Sequence, residues 1–555
     1  MGSCAARLQL AEPEATSYRN TQGSSSVGNN FMTQRLPFVL TLAGLLWATS
    51  LNGAERTKVS WPPRLLLNSD CGTPVFYKFD APMGEDQLCH VLNDLPGTQI
   101  DAFLPCPQFS DDQMWFPTRV AEIYDGRHVP DGQFEDPYFK RVANNVLSLN
   151  QRGIDPLEVW QRRAHEQGLL FLPSLRMNDI HKDYVDRWPS LRSHWEQARR
   201  QLLIGKAIPP WYSSPYKYTW AMDYAHAEVR QRKLAIITEI CSRYQVDGFE
   251  MDFLRHPYYF KHGTEDQGKP FMNQFIAAVR QKLDAIGKTK GQRLRLLVRV
   301  PPHLDECQQI GLDVPTWIRN DWVDMVIPMA PGYLDMNANL PAFVQLATGT
   351  DCVVAGGLEY YVRSYRQPKQ QGITNASLEM LRAGAATIWA QGATSVYLFN
   401  YDCHGPFPFR GNKRLALQEI GDPAALVKKN KRYLITVDMD NQTSAEGGNK
   451  QLPALLTAKD NHCGLQFFIA DDLAKAAADR TLESTELTIS ASDVSHLQIQ
   501  LNDRALIVTK QSGGQVRFAM PPVAQGNNRL DIRLHPVSPQ TTCRVTEVDF
   551  TIRYR

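Results

Sequence analysis

The chain has 555 residues, of which 43% are hydrophobic and 21% charged, so it exceeds one ordinary domain and holds enough apolar material for large cores. Sixty basic residues against 58 acidic ones leave a formal charge of +2 and no basic stripe, which sets nucleic-acid binding aside. The ten cysteines include no CxxC pair and no Cys/His cluster at zinc spacing, which argues against a structural zinc.

In chain order, residues 1–31 are polar and aperiodic. Met32-Thr33-Gln34-Arg35 then opens an apolar run, LPFVLTLAGLLWATS, followed by the small residues Gly53 and Ala54. A basic start, about 15 apolar residues and small residues after them form a secretory signal over about 32–54, too short for a comfortable membrane span. The expectation is an exported protein, periplasmic or extracellular, with no span in the mature chain; an uncleaved anchor is the alternative.

From 62 to 420, strand-like runs alternate with helical ones. The strand candidates begin near 64, 100, 169, 246, 294, 322, 351 and 395, and helices are expected at 155–167, 228–244, 270–286, 314–320 and 376–390. At the first helix Asp155 serves as N-cap, Pro156 opens the turn and Gly168 closes it. An insertion from about 180 to 222 is rich in Trp, Tyr and Pro. Eight β/α units without a GxGxxG turn indicate a closed (β/α)8 barrel over 60–424 rather than a dinucleotide-binding sheet.

Beyond 425 the helical period fades. Alternating strands are expected at 433–437, 465–469, 487–489, 497–501, 505–509, 516–518, 529–534 and 547–554, a β-sandwich over 430–555. Cys463 and Cys543 are a candidate bridge inside it.

The chemistry is expected at the C-terminal ends of the barrel strands. In the fourth strand, VDGFEMDFLRHP, alternation turns Phe249, Met251 and Phe253 to the helices and Glu250 and Asp252 to the axis. Two carboxylates aimed into a barrel mouth are costly unless paired, solvated or used. The bland alternative is a carboxylate–arginine network closing the barrel top.

This segment resembles the bacterial glycosyl-hydrolase-like barrels related to glycoside hydrolase family ten. The likeness rests on Tyr244, Val246, Asp247, Gly248, Phe249 and Asp252, followed by His256-Pro257-Tyr258-Tyr259. Trp220-Ala221-Met222-Asp223, Glu228-Val229-Arg230 and the strand Asp324–Met329 extend it over about 62–420. The resemblance implies hydrolysis of glycosidic bonds in an oligo- or polysaccharide. Leu254 stands where chitinase-type barrels carry their donor Glu, which argues against that chemistry.

Glycoside hydrolysis needs one group to protonate the leaving oxygen and one to attack or stabilise the sugar cation. Glu250 or Asp252 is the expected acid/base. Glu359, ending the seventh strand in GGLEYY, is the expected nucleophile of a retaining reaction. Asp402, after the eighth strand, is a further candidate for the second carboxylate or a substrate contact. Asp70 and Asp179, just past strand ends, and Arg176 and Asn178 are candidates for sugar hydroxyls, and Arg255 and His256 for a hydroxyl or for holding a carboxylate ionised. Trp220, Tyr258, Tyr333, Tyr360 and Tyr401, with Trp211, Tyr212, Tyr216, Tyr218, Tyr259 and Tyr361, offer faces for sugar rings, each with loop packing as its plain alternative. No cofactor and no metal are expected, because the barrel's histidines are scattered and no HxH or HExxH occurs. The rival readings are a non-catalytic saccharide-binding barrel and, more remotely, a metal-dependent hydrolase or deacetylase.

Overall fold

The computed structural model describes residues 59–129, 133–181, 189–207, 219–363, 373–403, 407–435 and 451–555. The expected signal segment, 32–54, and the ring cluster Trp211, Tyr212, Tyr216 and Tyr218 lie outside these residues. Among the described residues no helix is long and apolar enough to cross a membrane.

All eight expected barrel strands form. They are β1 (Leu65–Ser69), β2 (Ala102–Pro105), β3 (Leu170–Phe171, resuming as Ser174–Arg176), β4 (Gly248–Asp252), β5 (Arg295–Val300), β6 (Met325–Pro328), β7 (Val353–Leu358) and β8 (Ser395–Phe399). Their pairing runs in parallel from the first piece of β3 through β2, β1, β8, β7, β6, β5 and β4 to the second piece of β3. Both ends of the sheet are therefore one strand, broken where Pro173 has no N–H to give. Leu172 donates to Phe103 O on one side (3.0 Å), while Glu250 donates to Pro173 O on the other (2.9 Å). The sheet is a closed (β/α)8 barrel.

Inward residues fill the barrel as a packed plug: Leu66, Ala102 and Leu104, Leu170 and Leu172, Leu297, Met325 and Ile327, Ala355, Tyr397 and Phe399. Their neighbours, among them Leu67, Phe103, Phe249, Met251, Val298 and Val396, face the outer helices. This alternation sends Glu250, Asp252 and, two residues beyond Leu297, Arg299 into the plug. Gly248 is required by close approach: a Cβ there would stand 2.3 Å from the Arg295 carbonyl oxygen. Gly248→Ala is expected to lower the urea midpoint, with a loss of about 1–3 kcal/mol or more. An unchanged midpoint would show that β4 and β5 part more easily than their register indicates.

Of the helices, α1 (Pro137–Gln151) was not anticipated, although Asp136 caps it through Tyr138 N (2.8 Å) with the same Asp-Pro signal that opens α2 (Pro156–Glu166). Helix α3 (Ala227–Arg243) matches expectation. Helix α4 (Glu265–Lys290) begins five residues before Pro270, which sits inside it rather than opening it, and ends at Gly291 with φ 69°. Helix α5 (Val314–Arg319) and α6 (Leu340–Ala347) follow, and α7 (Leu378–Ala390) starts at its Ser377 cap.

The C-terminal strands form a sandwich of two antiparallel sheets, one of six strands and one of four. Phe467 and Phe550 meet between them at 6.3 Å. The expected strand at 505–509 is a correction: only Arg504–Ala505 pairs, and Ile507, 86% exposed, continues without a partner strand. Ala454–Thr457 supplies a strand that was not anticipated. Residues 436 and 437 of the first expected strand lie outside the described residues. Cys463 and Cys543 stand as free thiols, and the Cys543 thiol donates to Asp493 O (2.9 Å).

Candidate active site

The β4 register sets Asp252 beside Arg299 of β5. The guanidinium grips the carboxylate as a fork, Nε to Oδ1 at 2.9 Å and Nη2 to Oδ2 at 2.7 Å, with both side chains 1% exposed. Oδ1 also accepts from Leu254 N and Arg255 N, so it takes three hydrogen bonds while Oδ2 takes one. Arg299 is fixed in turn: it lies 3.8 Å from the Phe399 ring centroid, and Nη1 donates to the Met329 sulfur at 3.4 Å. Gly357 makes room for Met329, since a Cβ there would come within 2.4 Å of it. Arg299 escaped the sequence reading, yet it had a signal: an arginine at an inward position of an otherwise apolar strand.

Glu250 lies two residues deeper and is fully buried. Its Oε1 accepts from the Tyr397 hydroxyl at 2.9 Å, and its Oε2 has no hydrogen-bond partner. Burial and then the neighbouring Asp252 charge push its carboxyl up to about 8; Arg299 and Tyr397 hold it back only in part.

Glu359 continues the inward phase of Ala355 and Gly357 beyond the end of β7 and is 3% exposed. Burial raises it to about 7, against the Tyr360 N–H (3.0 Å to Oε1) and the charges of Arg299 and Arg255. Tyr361, half-buried, lies within electrostatic reach of Glu359, Cys403 and Asp70, which brings the rims of β7, β8 and β1 together.

Asn400, at φ 49°, turns the chain after β8 so that Asp402 folds back over β1. Asp402 accepts from Ser69 Oγ at 2.6 Å. Burial lifts it to about 7, with the Ser69 bond opposing and the Asp70 charge adding to the lift. The Cys403 thiol bonds Asp70 Oδ1 at 3.2 Å. Lys413, brought down to about 8 by burial, lies within electrostatic reach of Asp402. Asp70 is the more open of the two acids, its side chain 24% exposed.

Past β3, Arg176 pairs with Asp179 (2.9 Å) and stands 4.0 Å from Asp70. Asp179, His181 and His256 converge, contrary to the expectation of scattered histidines: their polar atoms lie within 4.8 Å of one another. The donor set does not suit a metal. Asp179 Oδ1 already bonds His181 Nδ1, Arg255 Nη2 reaches His181 Nε2 at 2.6 Å, and His256 Nδ1 accepts from Ile180 N at 3.1 Å. That last bond puts the proton of a neutral His256 on Nε2, and two guanidinium groups flank the cluster. It is a hydrogen-bond chain linking the rim of β3 to the loop after β4.

Several expected sugar contacts are instead structural. Asn178 is fully buried and clamps two loops, accepting from Met222 N (3.0 Å) and donating to Tyr258 O. Tyr258 packs with Ile180, Ile204 and Ala221, and Tyr259 is buried with its hydroxyl on Phe253 O. Tyr401 donates to Lys413 O (2.8 Å), and its ring packs on Tyr360 and Phe409. Trp220 presents its ring to Arg192 (4.2 Å) and Arg200 (5.0 Å). Tyr333 is half-buried in the loop after β6. Tyr258, Tyr259 and Tyr401 thus settle loop against loop, and the described rim of the barrel carries charged groups.

No family model matches the chain, and no curated protein matches it. Solved structures similar to it are enzymes of carbohydrates, glycoside hydrolases among them. The cycloisomaltooligosaccharide glucanotransferase of a Paenibacillus species shares 9% identity over 88% of this chain, TM-score 0.32, and this chain spans 57% of that enzyme's length. The PgaB (BpsB) glycoside hydrolase domain of Bordetella bronchiseptica shares 12% over 65% of this chain and 99% of its own, TM-score 0.42. The α-amylase of Geobacillus thermoleovorans shares 11% over 86% of this chain and 100% of its own, TM-score 0.37. At such identities and scores the likeness assigns no activity to this chain.

Proposed function

We propose that the chain is an exported glycoside hydrolase that cleaves O-glycosidic bonds of an oligo- or polysaccharide with retention, at the mouth of its barrel (60–424). The observation that carries this reading is a pair of acids with opposed environments at the C-terminal ends of β7 and β4: Glu359, raised to about 7, and Asp252, held in the Arg299 fork. A carboxyl raised to about 7 keeps a proton to give near neutrality, and a carboxylate tied to a guanidinium is poised to meet positive charge at the anomeric carbon.

The environments favour a division of labour opposite to the one expected from sequence. Glu359 protonates the leaving oxygen. Asp252 Oδ2, with a lone pair to spare, attacks the anomeric carbon and forms the glycosyl ester. Glu359, now ionised, takes the proton of the water that hydrolyses it. Glu250 does not touch the sugar; raised to about 8, it holds its proton near neutrality beneath Asp252. Asp70 and Asp402 offer hydroxyl contacts on the opposite rim. Export rests on residues 32–54 alone.

The burial of Asp252 and its four hydrogen bonds favour a second reading, a non-catalytic saccharide-binding barrel closed by the Asp252–Arg299 pair. A glycan panel separates the two. Under the hydrolase reading the wild type releases sugar, NMR shows the anomer first formed keeping its configuration, and Asp252→Asn releases none. Glycan binding with no cleavage, equal in wild type and Asp252→Asn, would establish the second reading instead.

A further inference from the structure

Among the described residues, two arginines at the mouth hold a carboxylate directly and a third does not. Arg299 holds Asp252 and Arg176 holds Asp179. Arg255 makes no ion pair with any described residue. Its Nη2 meets the imidazole Nε2 of His181 at 2.6 Å, and its Nε is buried without a hydrogen-bond partner.

Among the described residues the only carboxyl whose titration Arg255 is seen to affect is Glu359, with which it makes no ion pair. Burial, with Asp179 opposing and Arg255 adding to the effect, pulls the His181 imidazole down; burial and the Arg255 charge pull His256 down further. Both rings are neutral near pH 7, which spares Arg255 two repelling neighbours but supplies no negative charge. Glu359, which feels the Arg255 charge, is itself raised to about 7 and is largely protonated near neutrality. Arg255 is half-buried with its Nε unsatisfied, a costly arrangement for a charged donor group, and the cost falls when an oxyanion meets the guanidinium.

Its position is set by the catalytic loop. The Arg255 backbone N–H donates to Asp252 Oδ1 at 3.1 Å, so the side chain departs from the rim of β4 next to the attacking carboxylate. A sugar seated on Asp252 would carry its substituents past this group.

We infer that the substrate is an acidic glycan, and that Arg255 takes an oxyanion borne by a sugar ring, a uronate carboxylate or a sulfate ester. The inference rests on the glycan reading above for the position of the sugar. Binding, rather than turnover, is therefore the test. Oligogalacturonate is compared with its methyl ester, and a sulfated galactan oligosaccharide with its desulfated form, by calorimetry on Glu359→Gln protein at low salt. In one of the two pairs the charged member is expected to bind at least tenfold tighter. Arg255→Gln should erase that preference, and Arg255→Lys, which keeps the charge but not the fork, should restore part of it. The pair that shows the preference tells carboxylate from sulfate. No preference for the charged member in either pair, including no binding at all, overturns the inference, as does a preference that survives Arg255→Gln. Cleavage of neutral glycans with no such preference would leave the hydrolase standing and remove the acidic substrate, whereas Arg255-dependent binding without cleavage by the wild type would do the reverse.

Discussion

Glu359→Gln is expected to lower turnover of natural glycosides by about 10²–10⁴-fold, the usual worth of a positioned general acid. On aryl glycosides whose phenol leaves without help, the same variant should retain most of its first-step rate, because the leaving oxygen no longer needs a proton. Asp252→Asn should abolish both, since no ester can form. The pH dependence follows from the raised carboxyl. Glu359 works protonated and titrates at about 7, so activity is present below that pH and falls as pH rises through it. Two units above, about one molecule in a hundred keeps the proton, and kcat/KM on an unactivated glycoside drops in proportion. The limb should vanish in Glu359→Gln and flatten with aryl substrates. An alkaline limb that persists unchanged in the variant, or equal losses on both kinds of substrate, would take the proton donor away from Glu359.

The barrel and the direction of its acids were legible because strand alternation is a local property. Leu296, Val298 and Val300 mark one phase of β5 and Leu297 and Arg299 the other, and the same counting turns Glu250, Asp252 and Glu359 inward. What those acids meet was not local. The Asp252–Arg299 fork needs the β4–β5 register, and the Tyr397 bond to Glu250 spans the barrel from β8. Asp179 and His256 lie 77 positions apart and meet because β3 and β4 end side by side. The family-like motif is partly scaffold. Asp247 lies below the site and accepts from Phe171 N (2.9 Å) and His165 (2.9 Å), and Asp324 gathers Arg280, Arg293 and Arg295 at 2.8–2.9 Å. A motif Asp can thus mark the base of a strand as readily as its working end. The aromatic loops misled for a related reason: composition records how many rings a loop carries, not which side of it they face.

Glu250→Gln should make the protein more stable at neutral pH, and the reason bears on whether the acids at the mouth are structural. A carboxyl whose folded value is about 8 against an ordinary 4.5 holds its proton in the folded chain while the unfolded chain gives it up. Stability is then unaffected below about pH 4.5 and declines as pH rises toward 8, because ionisation is available only to the unfolded state. At pH 7 some two and a half pH units separate the protein from 4.5, and at about 1.4 kcal/mol per unit the cost is about 3 kcal/mol. Glutamine keeps the shape and the Tyr397 contact but cannot ionise, so it removes that decline. The difference between Glu250→Gln and wild type, from urea titrations, should be near zero at pH 4 and grow to a few kcal/mol by pH 8. Taking the difference isolates this group from Glu359 and Asp402, which tilt the wild-type curve the same way. If the two proteins instead run parallel from pH 4 to pH 8, Glu250 ionises in place. A salt-bridged plug built for stability alone would do better with glutamine at this position, so a widening gap would mean that the barrel keeps a destabilising acid beneath Asp252, as a site tuned for proton chemistry does.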